Sequence, residues 1–182
     1  MKKIIDLGLI GETAVSLELM KRGYDVINLN TLRHNYQNID LLCINPQTGK
    51  SVTIQVKTGS TKNLMTGFVS EPDGTIIPNL EEKVVGPWVF VKTDKNFKTM
   101  NFYVLTKEEI VELIKTSNNW YVNGWNRQLT SKTLVGVYDY WLEGKGEDAK
   151  TDPKFKKQHK AYSNPLKDTT KEKWEKITDL LW

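Results

Sequence analysis

The chain has 182 residues, of which 38% are hydrophobic and 26% are charged, a composition typical of a folded globular protein. No apolar stretch approaches the roughly 20 residues of a membrane-spanning helix. Asp6 and Glu12 interrupt the apolar N-terminus too early for an export signal. The single cysteine, Cys43, excludes an internal disulfide and a zinc site built from cysteines. We therefore expect one domain over residues 1–182, in a cytoplasmic protein without membrane contact.

The net charge of +4 is concentrated near the C-terminus. Residues 150–176 contain nine lysines against four acidic residues, a local charge of +5 that leaves −1 for the remainder of the chain. A basic segment on a nearly neutral body favours an anionic partner such as nucleic acid. Only three of the 26 basic residues are arginines, the usual readers of guanine, so we expect contact with the phosphate backbone. A solvated lysine surface is the alternative. The candidate contacts are Lys154, Lys156, Lys157 and Lys160.

The first third of the chain is predicted to form a helix followed by three strands. Apolar residues recur at helical spacing over residues 6–22, and Gly23 ends the helix. These apolar residues are Leu9, Ile10, Ala14, Leu17 and Met20. The strands are expected at 24–29, 38–44 and 51–58. A turn sequence at 45–49 pairs the second strand with the third as an antiparallel hairpin.

Two further strands and a capped helix are predicted next. The strands are expected at 87–92 and 100–105. Thr106 begins the helix with a capping box, because Glu109 lies three residues further on. The preceding stretch 59–86 is rich in Gly, Pro and Asn and is predicted to hold one helical turn near 80–84. The order of elements indicates an α/β fold with a mixed central sheet flanked by helices.

Residues 118–182 are predicted to form an aromatic-rich and basic extension of a core that spans about 6–117. Six aromatic residues crowd into positions 120–141. A last helix is expected to begin near Thr169, where Glu172 completes a second capping box. Its apolar side consists of Trp174, Ile177 and Leu181. We therefore expect the basic segment to dock on the body of the protein through a C-terminal helical extension.

The third predicted strand breaks the apolar pattern of a strand buried on both faces. Strand side chains alternate, so Thr53, Gln55 and Lys57 share one face while apolar residues fill the other. The hairpin brings Asp40 of the second strand close to Gln55 and Lys57. A carboxylate, a carboxamide and an ammonium on one edge of an apolar hairpin are costly to desolvate without a function.

Glu12 on the first helix is predicted to face the same region. At about 100° per residue, Glu12 projects within roughly 60° of Leu9, Val15 and Leu19 and therefore toward the core. A helix packed over the hairpin would bring this second carboxylate toward Asp40. Each residue alone also has a structural interpretation: Asp40 and Lys57 as an ion pair, and Glu12 as a partner of a strand-end amide. The joint pattern favours a functional site.

Helix Glu12, strand Asp40 and the run Gln55-Val56-Lys57 together resemble the motif of the PD-(D/E)xK nuclease superfamily, which has the restriction-endonuclease-like fold. The resemblance covers about residues 6–58, and the later strands suit that fold's αβββαβ core. It implies hydrolysis of phosphodiester bonds with magnesium, for which manganese is a substitute.

The same resemblance implies a role for each of these catalytic candidates. Asp40, the Gln55 amide, the Val56 backbone carbonyl and, as a further candidate, Glu12 would hold the magnesium ion. Lys57 would orient or help deprotonate the attacking water and stabilise the transition state. Gln55 departs from the pattern, because most members have a glutamate there, and the change removes one negative charge from the site.

The polar loop before Asp40 contains Arg33 and His34, which are candidate contacts for a phosphate. The alternative is an ordinary polar loop in solvent. The only other histidine is His159, far along the chain. Two distant histidines without paired cysteines argue against a zinc site.

The leading hypothesis is a magnesium-dependent, endonuclease-like hydrolase of nucleic acid, with DNA favoured over RNA. One alternative is a catalytically inactive nucleic-acid-binding module of the same fold. Another is a protein-interaction protein that uses the aromatic residues of 120–141. The sequence leaves open a homodimer.

Overall fold

The computed structural model describes residues 6–31, 39–70, 77–124, 133–145 and 163–182. The strands are β1 (Asp25–Asn28), β2 (Leu41–Ile44), β3 (Ser51–Gly59), β4 (Asn63–Val69), β5 (Trp88–Thr93), β6 (Met100–Leu105) and β7 (Leu134–Tyr138). The α-helices are α1 (Leu7–Lys21), α2 (Leu80–Lys83), α3 (Lys107–Asn119), α4 (Asp139–Leu142) and α5 (Glu175–Thr178). None of these helices has the length and apolar character needed to span a membrane.

A five-stranded mixed sheet in the order β1-β2-β3-β5-β6 forms the centre, and β4 pairs with β7 in a separate two-stranded sheet. Strand β3 changes neighbours along its length. Its first half, Ser51–Ile54, pairs antiparallel with β2, whereas its second half, from Gln55 to Gly59, pairs in parallel with β5. The start of β2 therefore lies beside the middle of β3, where the backbone of β3 has no strand partner on that side.

Two hydrophobic cores cover the two faces of the central sheet. On one face, Val15 and Leu19 of α1 pack with Ile54 and Val89 and with Trp174 of the C-terminal segment. On the other face, α3 and the β4–β7 pair cover the remaining side chains of β5 and β6. The buried aromatic residues of this second core are Trp88, Phe90, Tyr103, Trp120, Tyr121 and Trp141. The predicted mixed α/β fold is confirmed.

Helix α1 begins at an Asp6 cap that accepts a hydrogen bond from the backbone of Leu9 at 3.1 Å. Glu12 faces the core with Val15 and Leu19 as expected, but Leu9, Leu17 and Met20 are each about half exposed. The buried side consists of Gly11, Glu12, Val15, Ser16 and Leu19. The helix is apolar all round, so the spacing of apolar residues could not select its packed face. Gly11 selects it: a Cβ there would lie 1.8 Å from Thr58 Oγ1.

The predicted strands all form, with ends that differ by up to three residues. Thr106 and Glu109 form the predicted capping box at the start of α3. Two strands were missed, β4 in the stretch treated as irregular and β7 in the aromatic extension. Strand β4 buries the polar Thr66 and exposes the apolar Met65 and Val69, so its sequence does not show the usual alternation of a half-buried strand, and its pairing register shifts between Met65 and Val69. The partner of β4 is β7, far away in sequence, so no local pattern reveals the pair.

The C-terminal segment packs against the sheet, but its predicted helix is shorter. Trp174, Ile177 and Leu181 are buried as expected. The predicted cap at Thr169 is wrong, because α5 begins only at Glu175. Glu172 has a left-handed backbone (φ 56°) and bonds the Trp174 indole, which rules out its predicted role in a capping box. Lys154, Lys156, Lys157 and Lys160 lie outside the described residues.

Candidate functional site

Asp40 lies at the point where β3 changes neighbours, one residue before β2 begins. The last residue pair between the two strands is Leu41 with Ile54. Beyond it, the backbone N–H of Val56 has no residue of β2 to pair with and instead donates to Asp40 Oδ2 at 2.7 Å. The carbonyl of Val56 points to the same side of the strand as its N–H. The Asp40 side chain thus takes the place of a missing strand residue.

The Asp40 carboxylate is 8% exposed and accepts hydrogen bonds from three amide groups. In addition to the Val56 N–H, Gln55 Nε2 donates to Oδ2. The Asn30 amide donates to Oδ1 at 3.0 Å. Gln55 is itself buried and lies on the face of β3 predicted from the alternation. Its amide nitrogen, and not its oxygen, is turned toward Asp40.

Glu12 reaches the neighbourhood of Asp40 from α1, which packs on the face of the sheet opposite to Gln55. Its carboxylate accepts from Asn28 Nδ2 at 2.8 Å and from Asn30 Nδ2 at 3.0 Å. Burial is the main cause that raises the pKa of Glu12, and the negative charge of Asp40 acts in the same direction. The bonds from Asn28 and Asn30 act in the opposite direction. The contact of Gly11 with Thr58 lets the helix approach closely enough for Glu12 to reach the sheet edge.

Lys57 approaches from the other face of β3. Its ammonium lies 5.5 Å from the centre of the Trp88 ring, within the range of a cation–π contact. A Cβ on Gly67 of β4 would lie 3.8 Å from the same nitrogen. Burial lowers the pKa of Lys57, while the charges of Asp40 and Glu12 act in the opposite direction. The ammonium is therefore half-buried and electrostatically coupled to both carboxylates.

The two carboxylates carry no direct counter-charge within the described part of the chain. The ion pairs found there involve neither Glu12 nor Asp40, and all of their hydrogen-bond donors are neutral amides. Two buried carboxylates without a cation in contact are unfavourable unless another cation binds there. The oxygen atoms at this place suit a hard cation as ligands, since they belong to carboxylate and carbonyl groups. This set of ligands is sparse, because the described residues contain no group of three or more acidic, histidine or cysteine ligands.

The structure brings together four of the predicted site residues: Glu12, Asp40, Gln55 and Lys57. The predicted phosphate contacts Arg33 and His34 lie outside the described residues.

Two residues of the site, Asn28 and Asn30, were missed in the sequence. A signal for them exists: β1 and β2 are antiparallel neighbours, so the end of β1 must meet the start of β2, where Asp40 lies.

Neither a protein-family model nor a curated protein sequence matches the chain. Among solved structures, the backbone is similar to that of a bacterial homing endonuclease, I-Ssp6803I, with a TM-score of 0.40 and 16% sequence identity. The similarity covers 58% of this chain and 70% of the endonuclease chain.

Proposed function

We propose that the chain is a metal-dependent hydrolase of phosphodiester bonds in nucleic acid, with DNA favoured over RNA. The observation that carries this proposal is the pair of buried carboxylates, Glu12 and Asp40, which meet at one sheet edge without a cation in contact. The coupled ammonium of Lys57 supplies a third chemical group at the same edge. Such a combination is unfavourable for stability and is typical of a catalytic site.

Asp40, Glu12 and the Val56 carbonyl would hold a magnesium ion, with manganese as a substitute. When bound, the ion would activate a water molecule and offset the charge that grows on the phosphate. Gln55 would contribute its amide oxygen after rotation of the amide, because its nitrogen now faces Asp40.

Lys57 would act on the attacking water and on the transition state. Its lowered pKa makes the neutral amine, which can accept a proton from that water, easier to form than in a lysine exposed to solvent. The Trp88 ring and the β4 backbone at Gly67 hold the side chain in place. Loss of the Lys57 amine should therefore reduce turnover far more than binding.

A second candidate function is a nucleic-acid-binding module without catalytic activity. The Gln55 amide supports this alternative, because its N–H donates to Asp40, one of the two carboxylates that would hold a metal ion. Replacement of a carboxylate by an amide also weakens the binding of a hard cation.

Cleavage assays on the natural protein, Lys57→Ala and Gln55→Glu separate the two functions. With magnesium or manganese and duplex, single-stranded or branched DNA, we expect the natural protein to cleave and Lys57→Ala to be inactive. Gln55→Glu should bind the ion more tightly. Lys95→Ala is the matched control, since it removes an equal charge from an exposed turn. Cleavage that survives Lys57→Ala contradicts the catalytic role of this lysine. Absence of both cleavage and metal binding in all variants supports the binding module.

The basic segment is proposed to contact the phosphate backbone. Replacement of Lys154, Lys156, Lys157 and Lys160 by Gln should weaken binding about equally for all DNA sequences. The slope of log K against log salt should fall by roughly 0.9 for each phosphate of duplex DNA that a lysine no longer neutralises. An unchanged slope would show that these lysines are a solvated surface.

A further inference from the structure

Asn30 contacts both carboxylates of the candidate site through a single nitrogen. Its Nδ2 donates to Glu12 Oε1 and to Asp40 Oδ1, each at 3.0 Å. A carboxamide nitrogen has two protons, so both bonds can form at once. Within the described residues, the Asn30 amide is the one hydrogen-bond donor that the two carboxylates share.

The other donors each serve one carboxylate. Asn28 Nδ2 bonds only Glu12, and the Gln55 amide and the Val56 N–H bond only Asp40. These bonds fix the outer oxygen of each carboxylate. The inner oxygens, Glu12 Oε1 and Asp40 Oδ1, meet at Asn30. A cation that bridges the two carboxylates would require the same inner lone pairs.

A short turn holds Asn30 in this position. The residue belongs to a 3-10 turn, Leu29–Thr31, that follows directly on β1. Its backbone N–H donates to Asn28 Oδ1 at 2.9 Å, and Thr31 Oγ1 donates to the Asn28 carbonyl at 2.7 Å. The turn thus places Asn30 beside the carboxylates, and the Asn28 side chain links the turn to Glu12.

We infer that Asn30 is a positioning residue whose amide takes, in the ion-free protein, the place of a divalent cation between Glu12 and Asp40. The inference rests on the proposed metal-dependent function and adds a residue to its site. The two N–H groups offset part of the repulsion between the carboxylates and hold them as a pair. An incoming ion must displace these N–H groups, so Asn30 lowers the affinity of the site while it preserves the site's geometry.

Titration of manganese by calorimetry tests this role. Removal of the competing donors in Asn30→Ala should lower the Kd for manganese by at least about tenfold, which corresponds to about 1.4 kcal/mol, because the ion no longer has to displace two hydrogen bonds to charged groups. The carboxylates keep their remaining donors and should stay in place. Thr31→Val is the matched control: it loosens the same turn but contacts neither carboxylate, and its Kd should equal that of the natural protein.

The outcomes separate this inference from the proposed function. Manganese binding with the same or a weaker affinity in Asn30→Ala overturns the role of Asn30 but leaves a metal-dependent hydrolase intact. Binding only in Asn30→Ala supports the inference and contradicts metal dependence of the natural protein. No binding in any variant overturns both.

A measurement on the natural protein covers the case in which Asn30→Ala does not fold. In a magnesium titration followed by NMR, the side-chain amide signals of Asn30 should shift as the ion displaces them. The signals of Gln47, in an exposed turn at the end of β2 opposite to Asp40, should stay constant. Asn30 signals that do not move at saturating magnesium would show that the amide and the ion do not compete.

Discussion

The two long helices each direct a glutamate into the protein, and the protein neutralises the two carboxylates differently. Glu109 of α3 accepts from the backbone of Thr106 and receives both short bonds of the Lys176 ammonium, at 2.6 and 2.7 Å. Glu12 of α1 is more deeply buried and yet has only the neutral amides of Asn28 and Asn30 as partners.

The difference separates a structural carboxylate from a candidate functional one. Glu109 caps its helix and has its own cation, so its charge is favourable where it lies. Glu12 keeps a charge that burial disfavours, next to the second negative charge of Asp40. A protein retains an arrangement of this kind where function requires it, at some loss of stability.

The largest loss of stability is expected from a substitution of Gly11, which allows α1 to bring Glu12 to the sheet. A Cβ at this position would lie 1.8 Å from Thr58 Oγ1, so Gly11→Ala must push the helix off β3. We expect a loss of about 2–3 kcal/mol in the free energy of unfolding. Urea denaturation measures it, and activity should be lost with the displacement of Glu12.

Gly8→Ala on the same helix is the control for Gly11→Ala. The nearest atom to a Cβ at Gly8 is Asp6 Oδ1, at 3.3 Å, and the residue is exposed. Alanine favours the helix by up to about 1 kcal/mol over glycine, so this variant should keep or slightly gain stability. Equal losses in both variants would show that the helix, and not its contact with Thr58, is responsible.

A smaller loss of stability is expected when Lys176 loses the carboxylate of Glu109. Glu109→Gln can retain the capping bond to Thr106 but removes the ion pair with Lys176, which is left with one neutral amide oxygen in place of two carboxylate oxygens. The pair is partly exposed, so the free energy of unfolding should fall by about 1 kcal/mol. Cleavage activity should not change. A loss of activity in a variant that remains folded would contradict the purely structural role of Glu109.

The sequence predicted the residues of the site better than the surfaces around it. Asp40, Gln55 and Lys57 follow from strand alternation across a single hairpin, and this pattern depends on residues close in sequence. The capping box at Thr106 is equally local and was confirmed. The roles of these site residues in catalysis and metal binding stay predictions.

The features that were missed depend on distant or unpatterned contacts. Strand β4 pairs with β7 across more than 60 residues, and it buries the polar Thr66 while it exposes the apolar Met65. Leu9, Leu17 and Met20 of α1 are half exposed because apolar residues surround the helix, and the fit of Gly11 against Thr58 depends on a strand distant in sequence. Asn30 was treated as part of a polar loop, since an asparagine after a strand is common in turns.

Glu12→Gln should act in the direction opposite to Glu109→Gln. The new amide keeps the shape of the side chain and removes a buried charge beside Asp40, although its single oxygen can accept from only one of Asn28 and Asn30. At pH 8 we expect the free energy of unfolding to rise by about 1 kcal/mol, with loss of cleavage activity. Urea denaturation of the two variants side by side measures the difference in sign. Destabilisation by both substitutions would show that Glu12 is a structural residue like Glu109.

The smallest effect is expected in the pH dependence of the stability that Glu12→Gln gains over the natural protein. Because the pKa of Glu12 is raised in the folded protein, mainly by burial, the folded state binds its proton more readily than the unfolded state. The natural protein should therefore gain stability relative to Glu12→Gln as the pH falls from 8 through the raised pKa toward the ordinary value of 4.5. Below that value the difference should stay constant.

Glu18→Gln on the solvent side of α1 is the control. Bonds from Arg22 and Lys21 lower the pKa of Glu18, so its substitution should cost stability at pH 8. That cost should disappear only as the pH falls through the lowered pKa of Glu18, below 4.5. The contrary result is a difference in the free energy of unfolding between the natural protein and Glu12→Gln that stays constant from pH 8 to 4.5. It would mean that Glu12 does not carry an unfavourable charge, and the contrast with Glu109 would then fail.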